Sequence, residues 1–154
     1  MKQLHYPYSK FTAWEHRFLK LAEMISTWSK DPSTKVGCVI TQGKRVVGQG
    51  FNGFPQGVND DRERYEDREI KYPMVVHAEA NAIIFAGHAA RGATIYCSLM
   101  PCADCAGMII QAGVKTVICP APTEDAQERW GKAMQIGLTM FEEAGVEVRL
   151  GVHE

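Results

Sequence analysis

Ala93-Thr94-Ile95-Tyr96-Cys97-Ser98 is a short run of β-branched and aromatic residues and reads as a strand. Ala103 to Ala112 follows with helical composition and stops at Gly113, and Lys115-Thr116-Val117-Ile118-Cys119 is strand-like again. Working outward, Trp130, Met134, Leu138 and Phe141 mark a helical stripe ended by Gly145, before a strand from Val146 to Leu150. Upstream, Ala78 to Ala90 is rich in Ala, Ile and Phe and predicts a buried helix. Val36 to Thr41 and Arg45 to Phe51 form a hairpin around Gln42-Gly43-Lys44. Phe11, Trp14, Phe18, Leu21, Ile25 and Trp28 step by three and four, the spacing of one core-facing helix face. Thr12 caps that helix with Glu15 as capping-box partner, and Asp31-Pro32 stops it. Strands alternating with helices argue a layered α/β domain, and 154 residues fit one domain spanning 1–154.

Composition narrows the class. Hydrophobic content of 45% and charged content of 23% are those of an ordinary globular protein. Seventeen Lys plus Arg against 18 Asp plus Glu disfavour a polynucleotide track, which needs a basic excess or stripe, and favour a small-molecule substrate. Met1 to Lys10 has no apolar core of a secretory signal, and no apolar run reaches the length of a membrane span. Five cysteines without an export signal point to reduced thiols and metal binding, and the expected compartment is the cytoplasm.

The chemistry lies in a split motif. His77-Ala78-Glu79 and Pro101-Cys102-Ala103-Asp104-Cys105 together offer an imidazole, two thiols and a carboxylate that need not be a ligand. Zinc takes nitrogen and sulfur donors, and a catalytic zinc has three protein ligands with a fourth position for water. Both halves fall where a strand or loop hands over to a helix, and a helix N-terminus favours thiolate over thiol at Cys102 and Cys105. Pro101 suits that position, having a preset φ and no N–H to satisfy. A structural zinc would instead want a fourth protein ligand, for which Cys97, Cys119 and His88 are the nearby candidates. Cys38, Cys97 and Cys119 lie in strand runs and read as buried filler, and His88 as helix-end surface.

H-x-E followed by P-C-x-x-C is the established signature of zinc nucleobase deaminases, and the chain resembles the cytidine and deoxycytidylate deaminase superfamily, most closely its deoxycytidylate branch. The resemblance is carried by Val75 to Ile83, Tyr96 to Cys105, Ile109 to Lys115, Asp31 to Gly37 and Gly50 to Pro55, and runs from about Trp14 to Ile118. It implies a three-layer α/β/α sandwich with a mixed five-stranded sheet, Zn2+ on His77, Cys102 and Cys105, and Glu79 as proton shuttle. The implied reaction is hydrolytic deamination at C4 of a cytosine ring, with deoxycytidine monophosphate (dCMP) giving the uridine product (dUMP) and ammonia for thymidylate supply. Alternatives are an unphosphorylated nucleoside or base, or an RNA-editing substrate, against which the balanced charge weighs.

The resemblance also implies substrate contacts at Asn52 and Ala78, with Asn52 reaching the sugar hydroxyl, and phosphate contacts at Ser33 and Lys35. Asn52-Gly53 is equally a common turn pair. A family tyrosine after the fourth strand is replaced here by Pro120-Ala121-Pro122, which leaves nucleotide against nucleoside open. Gly53, Phe54, Pro55 and Gly57 match a segment tied to a regulatory nucleotide effector, and family members form homo-oligomers. Between Asn52 and Pro73 the chain is glycine-rich and then charge-dense, with Arg62, Arg64, Arg68 and Lys71 balanced by Glu63, Glu66, Asp67 and Glu69. It reads as a solvated short helix or lid, or as part of an effector surface.

Overall fold

The computed structural model describes residues 6–152, so the reading of the N-terminal segment is testable from Tyr6 onward, Met1 to His5 lying outside the described residues. Among the described residues six strands form one mixed sheet: β1 (Tyr8–Lys10), β2 (Gly37–Gln42), β3 (Arg45–Phe51), β4 (Thr94–Cys97), β5 (Thr116–Pro120) and β6 (Glu147–Val152), in the order β1-β6-β5-β4-β2-β3. β2 pairs antiparallel with β3 and β4, and the other pairs are parallel. The helices are α1 (Ala13–Ser26), α2 (Arg62–Glu66), α3 (Arg68–Met74), α4 (Ala78–Ala86), α5 (Ala103–Gln111) and α6 (Glu124–Glu143).

Side chains on a strand alternate between faces, and this alternation builds the three layers. Val39, Tyr96 and Ile118 pack on Phe18, Leu19, Ala22 and Ile25 of α1. Their neighbours Cys38, Ile40, Ile95, Cys97 and Val117 turn to the opposite face, against Ala82 of α4, Ile109 of α5 and Phe141 of α6. The expected α/β/α sandwich is thus present.

Glycines in β3 set the height of α4 on the sheet. A Cβ at Gly50 would lie 2.5 Å from the Ala82 nitrogen and 2.6 Å from the Ala78 carbonyl oxygen. The helix therefore rests on strand backbone, and its first turn, which follows His77, is held close to the sheet. The capping box of α1 forms as the sequence predicts: the Glu15 N–H donates to Thr12 Oγ1 at 3.2 Å and the Thr12 N–H to Glu15 Oε1 at 2.8 Å.

The structure corrects the expectation of five strands. β1 is an added parallel edge strand, three residues long with every residue exposed, so no alternation betrays it. It is held by backbone pairing to β6 and by the neighbouring Tyr6 hydroxyl, which donates to the Val148 carbonyl at 2.9 Å. The buried face of α1 is also rotated: Leu19 and Ala22 are inside, whereas Trp14 and Leu21, and Trp28 just beyond the helix, are exposed. Trp14 sits beneath Arg17 and Lys44, whose charged groups lie 4.6 and 4.4 Å from the ring centroid. The stripe on α6 holds at Leu138 and Phe141 but not at Trp130, which is 61% exposed.

Candidate active site

His77 and Cys102 are the N-cap residues of α4 and α5, both with extended backbone and neither making a side-chain cap. An N-cap side chain ordinarily accepts from its own helix's free N–H groups; these two face one another instead. His77 Nδ1 lies 3.2 Å from Cys105 Sγ and 3.7 Å from Cys102 Sγ. With zinc bonds of about 2.05 Å to nitrogen and 2.3 Å to sulfur, a tetrahedral edge is about 3.6 Å, so the three donors fit that ion. Their ligand atoms all lie within 4.8 Å of one another, and among the described residues no fourth His, Cys, Asp or Glu completes the group. Cys97, Cys119 and His88 stay apart, as a catalytic rather than structural centre requires.

The electrostatics suit a cation. A hydrogen bond from the Cys105 thiol, and then the His77 ring, bring Cys102 down to about 4. Cys105 is pushed up, first because its proton is shared with the Cys102 sulfur and then by burial. The Cys102 hydrogen bond in turn raises His77. The pair thus carries one thiolate before any metal arrives, and metal ligation releases the remaining proton.

Glu79 lies on the first turn of α4, only 4% exposed. The Cys38 thiol of β2 donates to its Oε1 at 3.3 Å. Burial raises its carboxyl above its ordinary value, and the nearby Cys105 thiol and the hydrogen bond from Cys38 oppose this only in part. A carboxyl so placed can exchange a proton with a group bound beside it. Cys38 and Cys97 also approach Glu79, but burial pushes both thiols up, so they act as protonated neighbours.

His77, Ala78 and Glu79 line a cavity of about 730 Å³ with Ser33, Thr34 and Asn52. Ala78 is buried and Ser33 exposed; Lys35 is exposed and is not a lining residue. Asn52 is 7% exposed and braces the loop that follows α1. Its Nδ2 donates to the Thr34 carbonyl at 2.8 Å and to Asp31 Oδ2 at 3.4 Å, and its Oδ1 accepts from the Val36 N–H at 2.8 Å. Both amide protons are therefore committed, and one lone pair on Oδ1 is left for a hydroxyl donor. The turn-chemistry and substrate readings of Asn52 are compatible at that atom.

The segment Gly53–Gly57 does not line the cavity but braces it. Gly53 exchanges backbone hydrogen bonds with Val76, 3.1 and 2.8 Å long, and the Phe54 ring stacks on Tyr65 with centroids 4.0 Å apart. Tyr65 is itself a lining residue. In the charge-dense segment, Arg62 pairs with Glu66, and Arg64 donates to the Asn59 carbonyl at 3.0 Å. Lys71 departs from the solvated reading: it is 8% exposed and meets the buried Asp31 carboxylate at 2.9 Å. Lys71, Arg68 and Tyr72 of α3 and Arg129 and Trp130 of α6 also line the cavity. No spacing rule links these residues, because their meeting depends on how α3 and α6 close around the site.

Residues 12–121 match the model of the cytidine and deoxycytidylate deaminase zinc-binding region. The chain belongs to this family. The chain is 50% identical over 135 residues to the uncharacterized deaminase in luxG 3′ region of Aliivibrio fischeri, covering 88% of this chain and 91% of that protein. It is 40% identical over 115 residues to human deoxycytidylate deaminase, covering 70% of this chain and 65% of the human protein. Among solved structures, the dCMP deaminase of cyanophage S-TIM5, in complex with dCMP and dUMP, superposes with a TM-score of 0.72 at 26% identity, over 92% of this chain and 99% of that one. The family's zinc-binding character agrees with the donor set found here, and its members' chemistry makes the chain a hydrolytic deaminase.

Proposed function

We propose that the protein deaminates dCMP to dUMP with release of ammonia. The observation that carries this reading is His77 Nδ1 facing two cysteine sulfurs at 3.2 and 3.7 Å beside the buried Glu79, in a cavity large enough for a nucleotide. A zinc ion held by His77, Cys102 and Cys105 would acidify a water for attack on C4 of the ring. Glu79 would take one proton from the attacking water and deliver it to N3, then take the second from the C4 hydroxyl as the carbonyl forms and deliver it to the departing amine. Its burial excludes solvent from the transfer, and the Cys38 thiol fixes the carboxylate's rotamer. Ala78 opens α4, where backbone N–H groups have no intrahelical partner, and suits a ring carbonyl. Asn52 Oδ1 accepts from a sugar hydroxyl through its remaining lone pair.

The similarity to deoxycytidylate deaminases supports dCMP over other amines, and the nearly balanced charge supports a small nucleotide over a polynucleotide. Steady-state turnover of dCMP, deoxycytidine, cytosine and guanine tests the assignment. The expected result is a preference for dCMP; a preference for any unphosphorylated compound rejects it. The same reading makes the protein a cytoplasmic homo-oligomer. Ile84 and Phe85 of α4, 74% and 69% exposed, are the apolar surface a second copy would cover. No helix among the described residues is long and apolar enough to cross a membrane. A nucleotide effector held at Gly53–Gly57 would reach the cavity through the Phe54–Tyr65 stack.

A further inference from the structure

The cavity's charged groups fall into two sets. Asp31 and Lys71 neutralise one another at 2.9 Å, and Glu66 is engaged by Arg62 at 2.8 Å. Arg68, the first residue of α3, and Arg129 in α6 have no ion pair or side-chain hydrogen bond among the described residues. The other cations near the segment are engaged elsewhere: Lys30 pairs with Asp60 at 2.6 Å, and Arg64 is turned to the Asn59 carbonyl. Two guanidinium groups from different helices, both solvent-accessible, are thus left open on the wall of the same cavity as Glu79. Trp130, beside Arg129, lines the cavity as well and is 61% exposed, an apolar flank where a soluble protein ordinarily hides indole.

An open guanidinium presents a planar fork of donors that matches two oxygens of a phosphate, and a lysine without that fork acts only as a point charge. We infer that Arg68 and Arg129 form the subsite for the phosphate monoester and decide between nucleotide and nucleoside. The assignment rests on the dCMP reading and deepens it: phosphate selection falls to α3 and α6. Lys35, outside the cavity lining, has no part in it.

The test compares wild type with Arg68→Ala, Arg129→Ala and the double variant, with zinc content measured alongside. Charge-assisted hydrogen bonds contribute enough that each substitution should lower the ratio of kcat/KM for dCMP over deoxycytidine by about 10- to 100-fold, mainly through KM. Arg→Lys at either position should recover part of that loss. Equal losses on both substrates, or an unchanged ratio, overturn the subsite. Equilibrium binding of dUMP and deoxyuridine separates this inference from the function beneath it. Wild type that does not prefer dCMP refutes the substrate assignment, while dUMP affinity that falls in the variants with deoxyuridine affinity unmoved still sustains the subsite. Unchanged dUMP affinity in the variants, or no dUMP binding by wild type, overturns the subsite.

Discussion

Five cysteines occupy two kinds of place in this molecule, and the contrast explains how one residue type carries both packing and chemistry. Cys38, Cys97 and Cys119 lie on β2, β4 and β5, fully buried on one face of the sheet, with thiols pushed up by desolvation. Cys102 and Cys105 stand at the beginning of α5, opposite an imidazole, and Cys102 is held down at about 4. Strand positions exclude water and stabilise the protonated thiol; at the helix start the Cys105 thiol and the His77 ring stabilise a thiolate on Cys102, while Cys105 itself is pushed up by that shared proton and by burial. The two sets meet at Glu79, which touches Cys38 on one side and Cys105 on the other.

The strongest way to break this contrast is to remove a helix-start thiol. Cys105→Ala should abolish stoichiometric zinc in the purified protein and lower turnover by at least about 10³-fold, as loss of a metal ligand removes the site itself. Retained zinc in elemental analysis would show that the ligand set is wrong. A backbone perturbation ranks next. Gly50→Ala drives a methyl into the α4 backbone and should destabilise by about 1–3 kcal/mol or more, moving the first turn of α4 with it. Denaturant unfolding and zinc content measure both effects, and an unchanged midpoint would mean that α4 is not seated by that contact.

A strand thiol should behave otherwise. Cys38→Ala removes a contact to Glu79 and leaves a small void, costing about 1–2 kcal/mol of stability with zinc content unchanged. Thiol labelling sharpens the same point: in chelator, the exposed Cys102 should react quickly, while the buried Cys38, Cys97 and Cys119 wait for unfolding. Rapid labelling of any strand cysteine would contradict its buried assignment.

The helix starts, the capping box and the metal ligands were legible in the sequence because each depends on neighbours close along the chain. Thr12 and Glu15 interact within a turn, and Pro101-Cys102-Ala103-Asp104-Cys105 needs only the start of a helix to aim its sulfurs. The sixth strand was not legible, since β1 gains its order from the edge of β6 rather than from its own pattern. Periodicity located α1 but not its buried face, because apolar residues surround enough of the helix for Leu19 and Ala22 to compete with Trp14 and Leu21. Lys71 and Arg129 could not be read at all, as their places come from tertiary closure between remote helices.

The smallest expected effect is on the far side of the sheet, where Glu15 of α1 meets Arg149 of β6. Burial raises Glu15, but hydrogen bonds from Arg149 and the Thr12 N–H prevail and bring it below its usual value. A depressed carboxylate contributes stability above its unfolded pKa and loses it as pH falls through the folded one. Glu15→Gln should therefore lower Tm at neutral pH, the deficit should shrink on acidification, and zinc content should not change. A constant deficit down to strongly acidic pH would assign the effect to packing.

The most direct test of the central claim is Glu79→Gln, assayed for zinc stoichiometry and dCMP turnover on the same preparation. Because His77, Cys102 and Cys105 together offer a metal three donors without Glu79, the account predicts one zinc per chain with kcat lower by about 10²- to 10⁴-fold, the contribution of a positioned general acid and base. Undiminished deamination in the zinc-loaded variant would contradict the role given to Glu79, and loss of zinc would place that carboxylate among the ligands instead.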